Sequence, residues 1–161
     1  MSCKQTKKRS NERARSNRRH INAGPLTGYL GYALRRAQVT AYADFISALQ
    51  DVAISPGEFG VLTIIHHNPG LRPADVCSVL GILKPNFVAV LASLERRDLV
   101  ERRHSQNDRR TLALHLTAAG SALLQRARRL QTEHEARMEK KLGARGRAQL
   151  LQLLNKLAES G

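Results

Sequence analysis

The chain has 161 residues, enough for one compact domain or a small lobe with attached helices, and too few for a separate catalytic domain beside it. Its formal net charge of +14 indicates a polyanionic partner, with nucleic acid as the leading candidate. No stretch approaches the run of about 18 apolar residues that would span a membrane. We therefore expect a cytoplasmic, nucleoid-associated protein with no membrane partner.

Residues 1–25 form a basic N-terminal tail with eight lysines and arginines and one acidic residue. The net charge of this tail is half of the net charge of the chain. Because the tail has few apolar residues, it cannot offset its ordering entropy, and we expect it to be disordered. Two roles stay open for it, a solvated arm and an arm that tracks DNA. Cys3 lies in this tail and Cys77 in an apolar helical pattern, so we expect no disulfide, and Cys77 to be a small core residue.

An apolar stripe at three- and four-residue steps predicts a long helix after Pro25. Its members are Leu26, Leu30, Ala33, Ala37, Ala41, Phe45 and Leu49. We interpret residues 26–54 as a dimerisation helix, because a lobe of about 60 residues cannot cover this stripe together with those of the last helices.

Three helices follow, and a glycine turn joins the last two. Ser55 to Glu58 form a capping-box pattern that predicts a helix start, and Asn68 to Gly70 suit its end. Pro73 opens the next helix, Gly81 suits the turn after it, and Pro85 opens a third helix. This order is typical of a helix-turn-helix.

From Leu99 the apolar period changes from helical to alternating, which predicts a two-stranded wing. Its strands are residues 100–103 and 111–116, and the polar tip between them spans 104–110. Residues 55–116 would thus form a winged helix-turn-helix lobe. Thr117 suits the cap of a long helix, and residues 117–161 are interpreted as C-terminal dimerisation helices. The predicted fold is mainly α with a two-stranded β wing, assembled as a homodimer.

Three segments carry a resemblance to a known family: LERRDLVERR at 94–103, NDRR at 107–110 and LTAAG at 116–120. With the element order, they make residues 26–158 similar to the MarR (multiple antibiotic resistance regulator) family of transcription factors. The resemblance implies a dimer on a pseudo-palindromic operator, with recognition helices in major grooves and wings in minor grooves. The implied DNA-binding residues are Lys84, Pro85, Asn86, Val88, Ala89, Ser93, Arg103, Asp108, Arg109 and Arg110.

Within the wing, the resemblance implies that Arg110 enters the minor groove, that Asp108 holds the shape of the wing and that Arg109 contacts phosphate. The chain departs from the family at Asp98, where glycine is usual, and at 88–89, where Val-Ala replaces a frequent Thr-Arg pair. Apolar contacts of Val88 and Ala89 with thymine methyl groups would then shift specificity toward Asn86, Lys84 and minor-groove shape.

For a small-molecule effector, the resemblance places the pocket beside the first helix. The candidate ligand-binding residues are Tyr29, Tyr32, Arg35, Arg36, Tyr42, Phe45, His66 and His67. Dimer packing is an equal alternative for the aromatic residues, and a favourable position at a negative helix end is an equal alternative for the histidines. His134 is interpreted as a partly buried, hydrogen-bonded histidine rather than a ligand or metal contact.

The predicted function is a DNA-binding repressor released by an aromatic or phenolic acid, or by its coenzyme A thioester, whose phosphates would suit Arg35 and Arg36. The alternative is an architectural or RNA-associated protein that binds nucleic acid without sequence preference. We expect no enzyme, cofactor or metal site, since the chain has no Gly-rich phosphate loop, no HExxH pattern and no local nucleophile signature.

Overall fold

The computed structural model describes residues 22–104 and 112–159. Residues 1–21 of the predicted basic tail, and residues 105–111 of the wing with Asp108, Arg109 and Arg110, lie outside the described residues. The chain divides into two compact units, one up to Gln38 and one from Val39 onward, and each is described by itself. The elements are α1 (Leu30–Ala48), α2 (Pro56–His67), α3 (Pro73–Leu80), α4 (Lys84–Arg96), β1 (Val100–His104), β2 (Leu112–Leu116), α5 (Ala118–Leu142) and α6 (Ala144–Ala158).

The predicted first helix is shorter than expected at both ends. A 3-10 helix spans Gly24–Gly28, the next residue Tyr29 is extended, and α1 begins only at Leu30. Glycine is a poor helix former, so Gly28 favours this break. After α1, a second 3-10 helix spans Gln50–Val52, and Ala53 adopts a left-handed conformation with φ +51° that turns the chain toward α2.

The helix-turn-helix is confirmed. The backbone amide of Ser55 donates to Glu58 Oε2 at 2.7 Å, and the amide of Glu58 donates to Ser55 Oγ at 3.2 Å, which is the predicted capping box. Gly81 ends α3 with φ +60°, a conformation that glycine adopts without steric cost. The chain bends by 118° between α3 and α4, within the range typical of this motif.

The wing is an antiparallel pair of strands with a register that pairs Val100 with Leu116 and His104 with Leu112. It is tied to the lobe by a β-bridge between Leu71 and Leu114, in which the Leu114 amide donates to the Leu71 carbonyl at 2.9 Å. The base of the wing is therefore fixed to the segment that links α2 to α3.

A single apolar core joins α2, α4, the wing and the first half of α5. Its fully buried members include Leu62, Ile65, Leu94, Leu114 and Leu124. Cys77 is half-buried against this core, as predicted, and its thiol donates to the Ile82 carbonyl at 2.9 Å.

The three- and four-residue steps of Leu123, Ala127, Leu130 and His134 predict the inward face of α5. Ala127 and His134 of this stripe are buried, whereas Leu123 and Leu130 are only half-buried and their neighbour Leu124 is buried. The inward face is therefore rotated relative to the one that the two leucines predict.

In the part of the chain that the structure describes, no single helix is both long and apolar enough to cross a membrane. Only α3 and α4 together, as a bent pair, meet the criteria of length and composition.

Candidate nucleic-acid interface

Helix α4 has one face in the core and one facing outward. Phe87, Leu91 and Leu94 are buried, as their spacing at i, i+4 and i+7 predicts. The predicted contact residues on the other side are exposed: Lys84, Pro85, Asn86, Val88 and Ala89. Val88 keeps 58% of its surface accessible, which is high for an apolar side chain on a well-packed helix.

Ser93 differs from the other predicted contact residues of α4. It is half-buried, and its hydroxyl donates to Glu58 Oε1 at 2.9 Å, where Arg97 Nη1 also donates at 3.4 Å. Glu58 thus joins the first turn of α2 to the second half of α4. The sequence prediction recognised Glu58 only as a capping residue, because its contacts with Ser93 and Arg97 span more than 30 positions.

The Glu58 carboxylate is ionised in this network despite being only 8% exposed. Burial is the largest influence and alone would raise its pKa, since it disfavours the charged form. Hydrogen bonds from the Ser55 amide, the Ser93 hydroxyl and the Ser55 side chain, with the charge of Arg97, outweigh burial and hold the pKa of Glu58 below its ordinary value of 4.5. The charge is therefore part of the packing between α2 and α4.

A groove with a volume of about 810 Å³ lies between α3, α4 and the base of the wing. Apolar residues form most of its lining, and Arg72, Lys84 and Arg102 are at its polar positions. Because Lys84 and Val88 line it from α4 and Leu112 lines it from β2, the exposed side of α4 is continuous with the wing.

The described base of the wing is rich in arginine. Arg103, a predicted DNA contact, is exposed on β1, and its Nη2 donates to Glu101 Oε1 at 2.5 Å. Arg102 Nε donates to Glu95 Oε1 at 2.6 Å, and this hydrogen bond raises the pKa of Arg102. The ion pair with Glu95 ties β1 to the end of α4.

Asp98 has a positive φ of +53° at the turn from α4 to β1. Aspartate is one of the few non-glycine residues that tolerate this conformation, which explains how it can stand where glycine is usual in the family that the sequence resembles. The Thr117 hydroxyl donates to the Asp98 carbonyl at 2.6 Å and also accepts from the Gly120 amide at 2.9 Å. One side chain thus fixes the turn and caps α5.

Among the candidate ligand-binding residues, Phe45 lies in a cluster of rings. It packs edge-on against Phe59 of α2 at 5.5 Å and stacks on His134 of α5 at 5.1 Å. His134 is hydrogen-bonded, as predicted, with Nδ1 2.7 Å from Asp44 Oδ2, and it is more fully buried than the sequence predicted. Hydrogen bonds from Arg137, and then from His134, lower the pKa of Asp44. We call Phe45, Phe59 and His134 the aromatic cluster.

The other ligand candidates are not part of this cluster. Tyr42 is exposed, and His66 and His67 are exposed at the end of α2, where Arg128 donates to His67 Nε2 at 2.6 Å.

In the unit up to Gln38, Tyr29 is exposed and the Arg36 guanidinium lies 5.9 Å from the Tyr32 ring centroid. Arg35 Nη1 in the same unit donates to Gln38 Oε1 at 3.5 Å. These residues form local contacts along α1.

Helices α3 and α4 form a helix-turn-helix with a bend of 118°, and one face of α4 is exposed next to a wing that is anchored at Leu71. This arrangement defines a winged helix-turn-helix DNA-binding protein. The sequence profile of the MarR family matches residues 54–111. The chain is 30% identical over 135 residues to a putative transcriptional regulatory protein for the hcr operon of Thauera aromatica, covering 83% of this chain and 81% of that protein. It is 28% identical to the homoprotocatechuate degradative operon repressor of Escherichia coli, covering 82% and 89%.

Solved structures give the same result. The transcriptional repressor CouR bound to a 23-mer DNA duplex is 42% identical, with a TM-score of 0.81, and the match covers 87% of this chain and 99% of that chain. CouR bound to p-coumaroyl-CoA is 40% identical, with a TM-score of 0.80, covering 86% and 98%. The chain belongs to the MarR family of transcription regulators, which confirms the predicted family and fold class.

Proposed function

We propose that this protein is a homodimeric repressor that binds a pseudo-palindromic operator and is released by an aromatic acid or its coenzyme A thioester. The exposed outward face of α4 carries the proposal, because it leaves Lys84, Asn86 and Val88 available to a major groove. The match to CouR over nearly its whole length, with DNA in one structure and p-coumaroyl-CoA in another, supports both halves of the cycle.

The apolar surface of the terminal helices supports a dimer. Neither α1 nor α6 has a buried residue, and Leu150, Leu151, Leu153 and Leu157 of α6 are all exposed. Soluble monomers seldom leave so much contiguous apolar surface in water, and a second copy of the chain is the economical partner. Two recognition helices related by a two-fold axis would then read two half-sites about one helical turn apart.

For the effector, the proposal places a planar acyl group at the aromatic cluster, which offers ring contacts. That Arg35 and Arg36 suit the phosphates of coenzyme A stays a prediction from the sequence. In this mechanism the ligand favours a spacing of the two recognition helices that does not match the operator. A differential affinity of about 3 kcal/mol would lower DNA affinity more than a hundredfold.

The test is a DNA-binding titration with the upstream region of the protein's own gene and with a scrambled duplex. It is run with and without a panel of aromatic acids and their thioesters, among them p-coumaroyl-CoA. We expect the upstream duplex to bind at least about a thousandfold more tightly, and one compound to abolish this binding. Equal binding to both duplexes, unchanged by every compound, would favour the architectural alternative instead.

Two variants locate the interface. Asn86→Ala should weaken binding to the upstream duplex by about 1 to 3 kcal/mol while leaving binding to the scrambled duplex nearly unchanged, because it removes a base contact. Lys84→Ala should weaken both, and Lys140→Ala, the same charge change at an exposed position of α5, serves as its control. Equal losses of affinity for Lys84→Ala and Lys140→Ala would show that only net charge matters.

A further inference from the structure

Within the residues that the structure describes, one buried side-chain oxygen has no hydrogen-bond partner, Gln131 Oε1 on α5. A buried polar atom without a partner destabilises the fold, so such atoms are rare in native proteins and indicate a missing donor.

The orientation of this amide is set by its neighbours. Gln131 Nε2 donates to Glu135 Oε1 at 3.1 Å, and Arg147 donates to the other oxygen of Glu135 at 2.6 Å. Turning the amide over would place an acceptor against a carboxylate, which also can only accept. The amide nitrogen therefore faces Glu135, and the oxygen stays the buried atom without a partner.

Gln131 lies on the buried face of α5, between Ala127 and His134, which are both buried. One turn before it, Arg128 reaches His67 at the end of α2, and one turn after it, His134 stacks on Phe45 of α1. The unpaired oxygen is thus on the stretch of α5 that passes from α2 to the aromatic cluster. The periodicity of α5 did not reveal it, because a glutamine is read as a solvent-facing residue.

We propose that Gln131 Oε1 accepts a hydrogen bond from a hydroxyl group on the aromatic ring of the effector. This inference rests on the proposed function and makes it more specific: the effector carries a phenolic hydroxyl that is read at α5. The rings of Phe45, Phe59 and His134 provide packing for the ring, and Gln131 provides the acceptor that the hydroxyl needs. The hydroxylated acyl group of p-coumaroyl-CoA, which CouR binds, has this chemistry.

The experiment compares matched pairs of compounds that differ only in the ring hydroxyl: p-coumaroyl-CoA with cinnamoyl-CoA, and p-coumarate with cinnamate. Their affinity is measured by calorimetry, and their release of the protein from its operator is measured by titration. Both assays use the wild type, Gln131→Met and Gln125→Met, the last being the same substitution at an exposed position of α5.

For the wild type and Gln125→Met we expect the hydroxylated compound to bind about tenfold or more tightly than its partner, because the acceptor is left unpaired otherwise. In Gln131→Met this ratio should fall to about twofold or less through weaker binding of the hydroxylated compound, with cinnamoyl-CoA little changed. Operator affinity without compound should stay near the wild-type value. The melting temperature should change little, since the loss of the hydrogen bond from Gln131 Nε2 to Glu135 is offset by the removal of an unpaired buried oxygen.

A preference for the hydroxyl that persists in Gln131→Met would overturn the inference while leaving the ligand-released repressor intact. So would a crystal structure in which an ordered water pairs with Gln131 both with and without compound. If no compound of the panel binds, the inference and the proposed effector class fail together. If the wild type instead binds its operator and the scrambled duplex equally tightly, the proposed function itself is contradicted.

Discussion

Replacing Glu58 by glutamine tests whether the carboxylate between α2 and α4 holds the recognition helix. Its two oxygens accept from three donors, the Ser55 amide, the Ser93 hydroxyl and Arg97. A glutamine of the same shape has only one acceptor oxygen, so its NH₂ group must face at least one of these donors. With hydrogen bonds to a buried charge contributing about 1.5 to 3 kcal/mol, we expect Glu58→Gln to lower the free energy of unfolding by about 2 kcal/mol.

The assay is urea denaturation at fixed protein concentration, since dimerisation makes the midpoint depend on concentration. The matched control is Glu101→Gln, which removes the charge of an exposed partner of Arg103 and should cost less than about 1 kcal/mol. Decreases in stability that agree within about 0.5 kcal/mol for the two variants would refute the reasoning. We also expect Glu58→Gln to weaken operator binding, because α4 loses an anchor on α2.

The pH dependence gives a second test of the same carboxylate. Because its pKa in the folded protein is held below 4.5, the charged form of Glu58 stabilises the fold above that pH, and the stabilisation is lost as the pH falls through the folded-state pKa. Glutamine does not titrate. The stability difference between wild type and Glu58→Gln should therefore be full near about pH 7 and shrink toward about pH 3. A difference that is constant with pH would exclude a role for the charge.

Three further predictions concern the backbone and the tail. Gly120→Ala should cost about 3 kcal/mol of stability or prevent folding, since its Cβ would clash with the Leu99 carbonyl oxygen, and urea denaturation measures this. Ala53→Gly should raise stability by about 1 kcal/mol, because Ala53 has a φ of +51° that glycine adopts more easily. Its control, Ala89→Gly within α4, should lower stability by about 1 kcal/mol. A decrease in stability for both variants would contradict the argument. Deleting residues 1–22 should flatten the log-log salt dependence of DNA binding by about 0.9 for each phosphate that the tail neutralises, and an unchanged slope would show that it neutralises none.

Local signals made most of the lobe predictable. Capping by Ser55, the turn at Gly81, the wing strands and the cap at Thr117 each depend on residues a few positions apart, so the sequence contains the whole interaction. The start of α1 was misjudged for the same local reason, because the apolar stripe continues through Gly28 while the backbone does not.

Contacts between distant segments were not predictable in this way. The outward position expected for Ser93 follows from helical period alone, yet its hydroxyl is drawn to Glu58, 35 positions earlier. Gln131 was missed because a polar residue on a buried helical face is recognisable only when its neighbours from other elements are known. The contact residues of the wing tip stay predictions, since they lie outside the described residues.

The two halves of the proposed regulation meet at consecutive residues of α2. Glu58 anchors α4 through Ser93, while its neighbour Phe59 packs on Phe45 of α1, which in turn stacks on His134 of α5. A ligand that binds at the aromatic cluster therefore contacts the same helical turn that positions the recognition helix. It needs no wide rearrangement to change the spacing of two such helices in a dimer, only a higher affinity for a slightly different placement of α2.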